Sequence, residues 1–290
     1  MTHSNSGSKV GSSSSRMVIP DLPDPLPIAV VDNHTHLDIE REGVAVDVAD
    51  LLARAKAVGV DRVVQIGCDL PAARQTITMV DTYAAMLGGV ALHPNEVPGL
   101  ADSGSLDAAY AEIEELAGHP RIRVVGETGL DYYRTGPEGQ GVQQDSFRWH
   151  IDLAKRLDKA LQIHDRDAHA DVLRILEEEG APNSTVLHCF SGDLPMAQEC
   201  AERGYYLSFA GTVTFKNAHG LRDALSVTPL DRLLVETDAP YLTPHPHRGS
   251  VNAPHLVPLT VRAMAATLGV AVPTLCQALS ENSERVYGPW

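Results

Sequence analysis

Eight short apolar runs, each followed by a helical pattern, organise most of the 290-residue chain. The runs contain few polar residues, as expected for strands that are buried on both faces. They are predicted at residues 28–31, 62–66, 89–92, 122–125, 160–163, 185–187, 205–209 and 232–235. Eight such units predict an α/β fold, a single-domain TIM (β/α)8 barrel, with a doubly wound open sheet as the alternative.

The segments between the strands have the apolar spacing of amphipathic helices. Helices are predicted at residues 44–58, 71–87, 106–117, 142–157, 168–179, 194–203 and 221–226, and two more follow the Pro- and His-rich loop at residues 239–253. Neither the dinucleotide pattern G-x-G-x-x-G nor a P-loop follows the first strand. The sequence therefore gives little support for a nucleotide cofactor.

The first residues lack the pattern of a folded segment. Residues 1–16 are rich in Ser and Gly, and Pro-rich residues 20–27 follow them. We therefore predict a disordered low-complexity tail at residues 1–27 and a single folded domain at residues 28–290. The sequence shows no signal-peptide segment and no apolar run long enough to cross a bilayer, which favours a cytoplasmic protein that does not bind membranes.

The four cysteines are scattered along the chain and form no C-x-x-C pair; they are Cys68, Cys189, Cys200 and Cys276. This spacing argues against a disulfide framework and against a zinc knuckle. We expect four buried, reduced thiols.

The formal net charge is −15, from 23 basic and 38 acidic residues. A protein that holds DNA mainly by releasing counterions is expected to be basic. If this chain acts on a phosphodiester, its contacts must therefore be local, and bound cations must compensate much of the phosphate charge.

Histidines and carboxylates stand at five of the eight predicted strand ends. His34 and His36 end the first strand, and alternation along a strand points both side chains the same way. The other candidates are Glu127, His164, His188 and Asp238, at the ends of strands four, five, six and eight. Each one alone has an ordinary explanation as a polar strand end or a cap. Because all strand ends of a barrel meet on one face, the whole set favours a shared metal site.

Nitrogen and oxygen ligands without thiolate suit Zn²⁺, Mn²⁺ or Mg²⁺. Six ligands exceed one tetrahedral site, so we predict two divalent metal ions. The first would be held by His34, His36, Glu127 and Asp238, and the second by Glu127, His164 and His188. Glu127 is the candidate bridging ligand, and Asp238 is the candidate acceptor for the proton of an attacking water.

The sequence resembles the TatD family of metal-dependent deoxyribonucleases, within the amidohydrolase-like barrels. The resemblance runs in order through residues 32–38 (DNHTHLD), 126–131 (GETGLD), 163–168 (IHDRDA), 188–192 (HCFSG) and 236–242 (ETDAPYL). It implies the same ligand set and a divalent-metal nuclease that acts on DNA, as a 3′–5′ exonuclease on single strands. Residues 28–290 are then expected to form a metal-dependent hydrolase barrel. Single-stranded DNA is then the expected substrate, and protein partners are unknown.

Four further residues are candidates for binding substrate. His93 ends strand three and is expected to line the pocket. Arg166 and Lys216 are candidate phosphate contacts, and Arg248 lies in a loop that departs from the family pattern, with Ser250 and Ala253 where Lys and Glu are common. The planar fork of Arg248 suits phosphate oxygens. Tyr132, Tyr133 and Phe190 are weaker candidates for stacking on a base.

Two other functions fit the same residues. A pair of metal ions also supports attack on a carbonyl, so the alternative is a hydrolase of a small amide, lactone or aminoacyl ester. The acidic composition and the altered loop favour this alternative. A binding or scaffold protein with a relic metal site is the third hypothesis, and six intact candidate ligands argue against it.

Overall fold

The computed structural model describes residues 18–41 and 43–290. Its strands are β1 (Val30–Thr35), β2 (Val60–Gly67), β3 (Met86–Val90), β4 (Ile122–Asp131), β5 (Ala160–Arg166), β6 (Thr185–Leu187), β7 (Tyr206–Phe209) and β8 (Leu233–Val235). Its helices are α1 (Val48–Ala57), α2 (Leu70–Thr82), α3 (Val97–Asp102), α4 (Leu106–Ala117), α5 (Pro137–Leu157), α6 (His169–Glu179), α7 (Leu194–Glu202), α8 (His219–Val227), α9 (Val257–Leu268) and α10 (Val272–Tyr287).

The strands form one parallel sheet in the order β1 to β8. Hydrogen bonds join the segment after β8 to β1: the Asp238 amide donates to the His34 carbonyl (3.0 Å), and the His36 amide donates to the Ala239 carbonyl (2.8 Å). The sheet is thus a nearly closed barrel with helices between its strands, which confirms the predicted TIM-barrel fold.

Two clusters of buried apolar residues form the core, one between the strands and the helices and one inside the barrel. The larger lies between strands and helices and includes Val30 and Val63; the smaller includes their neighbours Val31 and Val64. Because side chains alternate along a strand, the smaller cluster fills the barrel interior. Tyr287, from the end of α10, belongs to this interior cluster.

The boundary between α2 and β3 differs from the prediction. The predicted helix at residues 71–87 ends at Thr82, and β3 begins at Met86 rather than at residue 89. Gly88 and Gly89 lie inside this strand because their neighbours leave no room for a side chain. A Cβ at Gly88 would lie 2.6 Å from Cδ1 of Ile122, and one at Gly89 would lie 2.7 Å from Cδ1 of Ile66. Close packing therefore requires glycine at these two positions, although a pair of glycines in a sequence usually indicates a loop.

The described part of the predicted tail packs against the barrel. Leu26 is buried and its amide donates to the Val58 carbonyl (2.9 Å), while the Pro20 carbonyl accepts from Arg54 (2.7 Å). Residues 18–27 therefore belong to the packed structure, which corrects the expected tail boundary at residue 27. The first 17 residues lie outside the described residues, and their disorder stays a prediction.

Within the described residues, no single helix has the length and apolar content to cross a membrane; only a bent pair, Pro254–Leu268 with Val272–Tyr287, meets both when counted together.

Helix α5 buries a histidine whose charge state affects stability. His150 accepts a hydrogen bond from the Leu92 amide (3.2 Å) and donates through Nδ1 to the Ser146 carbonyl (2.7 Å). Burial lowers the pKa of His150 from 6.5 to about 4. The unfolded chain therefore binds a proton below about pH 6.5 that the folded protein does not bind until about pH 4, and the free energy of unfolding falls as the pH falls between these values.

We expect His150→Gln to weaken this pH dependence by roughly 3 kcal/mol between pH 6.5 and pH 4. Glutamine can accept from the Leu92 amide and donate to the Ser146 carbonyl without titrating. Urea unfolding of both proteins across this pH range measures the difference, and His219→Gln, on the exposed face of α8, is the matched control. Equal pH dependence in the wild type and His150→Gln would contradict the expectation.

Candidate metal centre

The six candidate ligands meet at the carboxyl ends of the strands. His34 Nε2 and His36 Nε2 lie 3.2 Å apart. Oδ1 of Asp238 lies 3.4 Å from Nε2 of His36 and 3.8 Å from Nε2 of His34. Oε2 of Glu127 lies 3.4 Å from Nε2 of His34. These four side chains form the first group of candidate ligand atoms, as predicted for the first ion.

The other oxygen of Glu127 faces a second group. Its Oε1 lies 2.8 Å from Nδ1 of His164 and 3.2 Å from Nε2 of His188. One carboxylate therefore places one oxygen in each group, which is the arrangement expected of a bridging ligand.

Strand irregularities position two of these side chains. The pairing of β4 with β5 shifts register between Val125 and Thr128, on either side of Glu127. The pairing of β1 with β2 shifts between Asp32 and Thr35, on either side of His34. Such irregularities re-aim side chains relative to simple alternation. They let Glu127 and His34 reach the centre of the barrel mouth.

Hydrogen bonds on the outer side of three imidazoles set which nitrogen faces the cluster. Nδ1 of His34 donates to Oε1 of Gln162 (2.8 Å), and Nδ1 of His36 donates to the Ile66 carbonyl (2.9 Å). Nδ1 of His188 lies 3.2 Å from Oε1 of Glu236. In the neutral form that keeps its proton on Nδ1, each of these rings directs the lone pair of Nε2 into the cluster.

The His164 ring is also oriented by a hydrogen bond on its outer side, but with its two nitrogens exchanged. Its Nδ1 faces Glu127, and its Nε2 lies 3.2 Å from Oδ2 of Asp131. Asp131 is itself held by Asn95 Nδ2 (3.0 Å) and by the Arg134 amide (2.9 Å). The ring is therefore oriented with Nδ1 towards the cluster.

Three residues that were not predicted from the sequence orient ligands from outside the cluster: Asp131, Glu236 and Gln162. Asp131 and Glu236 lie inside the matched segments GETGLD and ETD, and Gln162 is the one polar residue in the apolar run of β5. A carboxylate or amide two to four residues from a candidate ligand is the signal that could have identified them.

Charges in the cluster are strongly coupled. Burial would raise the pKa of Glu127, but His188 and His93 outweigh burial and hold the pKa of this carboxyl well below its ordinary value. Burial would lower the pKa of His188, but Glu127 and Glu236 raise it well above the ordinary value. Burial and the neighbouring His188 lower the pKa of His34, so that ring is neutral.

The donor set fits divalent cations. Imidazole lone pairs and carboxylate oxygens lie within 4.8 Å of one another in the groups His34–His36–Glu127, His34–His188–Glu236 and His93–Glu127–His164. Nitrogen and oxygen donors backed by outer hydrogen bonds are the chemistry of a metal site in a hydrolase.

Comparison with known proteins assigns the family. The sequence profile of the TatD-related DNase family matches residues 31–288. The chain belongs to the TatD-related DNase family. Eight strands and the ligand cluster thus all lie within the matched region, apart from the first residue of β1.

Its TatD-family relatives match it along nearly their whole length. The chain is 46% identical over 263 residues to the uncharacterized metal-dependent hydrolase TatD of Mycobacterium tuberculosis, with 89% of this chain and 98% of the relative covered. It is 41% identical over 260 residues to the uncharacterized metal-dependent hydrolase YcfH of Escherichia coli K12, with 89% and 95% covered. These relatives and the ligand cluster confirm the general prediction of a TatD-family metal-dependent hydrolase.

A solved structure agrees with the fold. The crystal structure of YjjV, a TatD homologue from Escherichia coli K12, superposes with a TM-score of 0.81 at 26% identity and covers 90% of this chain and 98% of that one.

His93 contacts the TatD-family cluster as a donor. Its Nδ1 accepts a hydrogen bond from the Asn95 amide (3.1 Å), which leaves Nε2 as the nitrogen that can donate. That Nε2 lies 3.3 Å from Oε1 of Glu127. His93 therefore faces the cluster through Nε2, where it is suited to donate to a substrate oxygen.

A cavity of about 310 Å³ opens beside the cluster. It is lined by Glu127, His164, Asp165, Arg166, His188, Cys189, Ser191, Asp238 and Leu242. Arg166 is the only lysine or arginine among these lining residues, and its guanidinium lies 3.9 Å from the ring centre of exposed Tyr133. Arg166 thus lines the cavity, and its contact with phosphate stays a prediction.

The other two basic residues predicted to contact phosphate, Arg248 and Lys216, do not line this cavity. Arg248 stacks on Phe215, with 4.1 Å from Cζ to the ring centre, and Lys216 is exposed beside it. Two of the candidate stacking residues are also engaged elsewhere. Phe190 is buried against Phe209, and Tyr132 donates to Asp171 (2.7 Å).

Two of the four thiols lie at the cluster instead of being fully buried. Cys200 and Cys276 are buried as expected, whereas Cys68 and Cys189 are half-buried. Sγ of Cys68 lies 3.5 Å from Oε2 of Glu127, and burial raises the pKa of its thiol to about 12. Cys68 is therefore a neutral thiol beside the cluster.

Proposed function

We propose that this TatD-family protein hydrolyses phosphodiester bonds in DNA with two divalent metal ions, acting on single strands from the 3′ end. The observation that carries the proposal is the Glu127 carboxylate, whose two oxygens face two separate groups of histidines. A pair of cations a few ångströms apart is typical of enzymes that displace the leaving oxygen of a phosphodiester in line.

The residues present would hold both ions. His34, His36 and Asp238 would complete one site, and His164 and His188 the other, with Glu127 shared. When bound, divalent cations such as Mg²⁺, Mn²⁺ or Zn²⁺ lower the pKa of a water ligand and stabilise the charge that develops on phosphate.

Three side chains would act on the substrate directly. Asp238 lines the cavity. Burial would raise its pKa, but hydrogen bonding and charge from His36, His34 and His188 outweigh burial and hold the pKa below the ordinary value. Asp238 is therefore an ionised carboxylate that can accept a proton. His93 would donate from Nε2 to a phosphate oxygen. Arg166 would pair its guanidinium with the phosphate at the cavity mouth.

The test is hydrolysis of end-labelled oligonucleotides by protein reloaded with Mg²⁺, Mn²⁺ or Zn²⁺. We expect stepwise shortening of single strands from the 3′ end, faster than cleavage of duplex DNA. Absence of nucleotide release with every metal and every end structure would contradict the proposal. A cytoplasmic location remains part of the proposal.

A second candidate is hydrolysis of a small amide, lactone or aminoacyl ester. It is favoured by the net charge of −15 and by the cavity lining, which includes one arginine and no lysine. Such a substrate needs no run of phosphate contacts. Comparing kcat/KM for oligonucleotides and for a panel of amides, lactones and esters decides between the two.

Arg166→Ala separates the candidates further. Because a hydrogen bond to a charged group contributes ~1.5–3 kcal/mol, we expect KM for an oligonucleotide to rise by roughly tenfold or more, while turnover of a neutral lactone changes little. Arg156→Ala, on the outer face of α5, is the control. An equal loss on both substrates would show that Arg166 does not contact phosphate.

A further inference from the structure

A chain of hydrogen bonds crosses the barrel interior from α10 to a candidate metal ligand. The hydroxyl of Tyr287 accepts from Nε2 of Gln162 (2.8 Å) and donates to Oδ1 of Asn33 (2.9 Å). Nε2 of Gln162 also donates to the Asn33 carbonyl (2.8 Å), and its Oε1 accepts from Nδ1 of His34 (2.8 Å). Tyr287 at the bottom of the barrel is thereby linked to His34 at the top.

The same chain continues to a second ligand. Nδ2 of Asn33 donates to Oγ of Ser208 (2.9 Å), whose hydroxyl donates to Oε2 of Glu236 (2.5 Å). The other oxygen of Glu236 faces Nδ1 of His188 (3.2 Å). The rings of His34 and His188 stack with centres 3.9 Å apart. The two ends of the network therefore bind two neighbouring imidazoles.

Burial gives the network a single set of directions. Asn33, Gln162 and Ser208 have no exposed surface, and Tyr287 is 2% exposed, so solvent does not supply alternative partners. A hydroxyl can accept from the Gln162 amide and donate to the Asn33 amide oxygen at once. Because the hydroxyl proton goes to Asn33, the hydroxyl can only accept from Gln162, as the Asn33 carbonyl does. Both acceptors therefore favour the orientation of Gln162 that presents Oε1, and not Nε2, to His34.

We propose that Tyr287 is a positioning residue for the metal centre: through Gln162 it keeps the proton of His34 on Nδ1, so that the Nε2 lone pair faces the cluster. The opposite orientation of the Gln162 amide would place Nε2 against Nδ1 of His34. The flipped amide would then favour the His34 tautomer that carries its proton on Nε2. In that tautomer Nε2 has no free lone pair and cannot bind a cation.

The inference rests on the role of His34 as a metal ligand, but not on the identity of the substrate. It is tested first without metal or substrate, by ¹⁵N NMR of labelled histidines in the full, metal-free chain. The His34 signals are assigned by their loss in His34→Gln. We expect one Nδ1-protonated form in the wild type, a detectable Nε2-protonated fraction in Tyr287→Phe, and a larger one in Gln162→Met.

The second readout is metal binding by calorimetry with Mn²⁺. Tyr287→Phe loses both hydrogen bonds of the hydroxyl, to Gln162 and to Asn33, but neither reaches His34 directly. It should weaken the site that contains His34 about fivefold. Losing the direct partner of His34 should weaken it roughly 10–100-fold in Gln162→Met. Adding Tyr287→Phe to Gln162→Met should cause no further loss, because Tyr287 acts through Gln162.

Tyr206→Phe is the matched control. Tyr206 is buried in the same interior cluster, and no hydrogen bond joins it to the network within the described ranges. It should keep the wild-type tautomer and affinity. Wild-type values in Tyr287→Phe, or equal changes in Tyr206→Phe, would overturn the proposal. If Tyr287→Phe does not fold, an unchanged His34 tautomer in Gln162→Met would overturn it as well.

Discussion

Replacing Glu127 with glutamine is expected to lower kcat/KM by on the order of 10³-fold or more while the barrel stays folded. Glu127 is the candidate ligand whose two oxygens face both groups, with Oε2 3.4 Å from His34 and Oε1 2.8 Å from His164. Glutamine retains one oxygen and turns an NH₂ group towards imidazole lone pairs. The NH₂ group cannot bind a cation, and the remaining oxygen no longer carries the carboxylate charge, so both sites should lose affinity together.

The matched control is Glu115→Gln, on the exposed face of α4. It removes the same charge from the protein without touching the cluster and should retain full activity. Circular dichroism checks that both variants are folded. A Glu127→Gln protein with more than about a tenth of wild-type activity would contradict the shared-ligand assignment.

Removing metal is expected to abolish activity and lower the melting temperature. Binding at a free-metal concentration of about 100 times Kd stabilises a folded protein by ~2.7 kcal/mol per site. Two sites would therefore raise the melting temperature of a chain of this size by roughly 10 °C. Calorimetry on chelator-treated protein, before and after addition of Mn²⁺, measures this difference.

The effect of metal should shrink as the pH falls. The carboxylates of Glu127 and Glu236 outweigh burial and raise the pKa of His188 well above its ordinary value, so protons compete with cations for its Nε2. We therefore expect a smaller metal-induced rise at about pH 6 than at about pH 8. Unchanged activity and melting temperature after loss of nearly all bound metal would contradict a metal-dependent mechanism.

The sequence was sufficient to predict that the candidate ligand side chains lie together at the carboxyl ends of the strands. Apolar runs with the length of buried strands predicted the barrel, and the convergence of strand ends placed His34, Glu127, His188 and Asp238 on one face. Their function as ligands stays a proposal, but the distances between them are those the prediction requires.

Other features depended on contacts that local patterns do not encode. Gly88 and Gly89 follow from close packing against Ile122 and Ile66, residues distant in sequence. The orientation of Glu127 depends on a register shift in β4. The link from Tyr287 to His34 joins residues more than 250 positions apart, so only the fold reveals it.

The central claim is that two cations share Glu127. The most direct measurement is a crystal structure of the Mn²⁺-loaded protein with anomalous scattering. We predict two peaks, one among His34, His36 and Asp238 and one between His164 and His188, each coordinated by a different oxygen of Glu127. A single peak, or peaks that Glu127 does not coordinate, would contradict the claim.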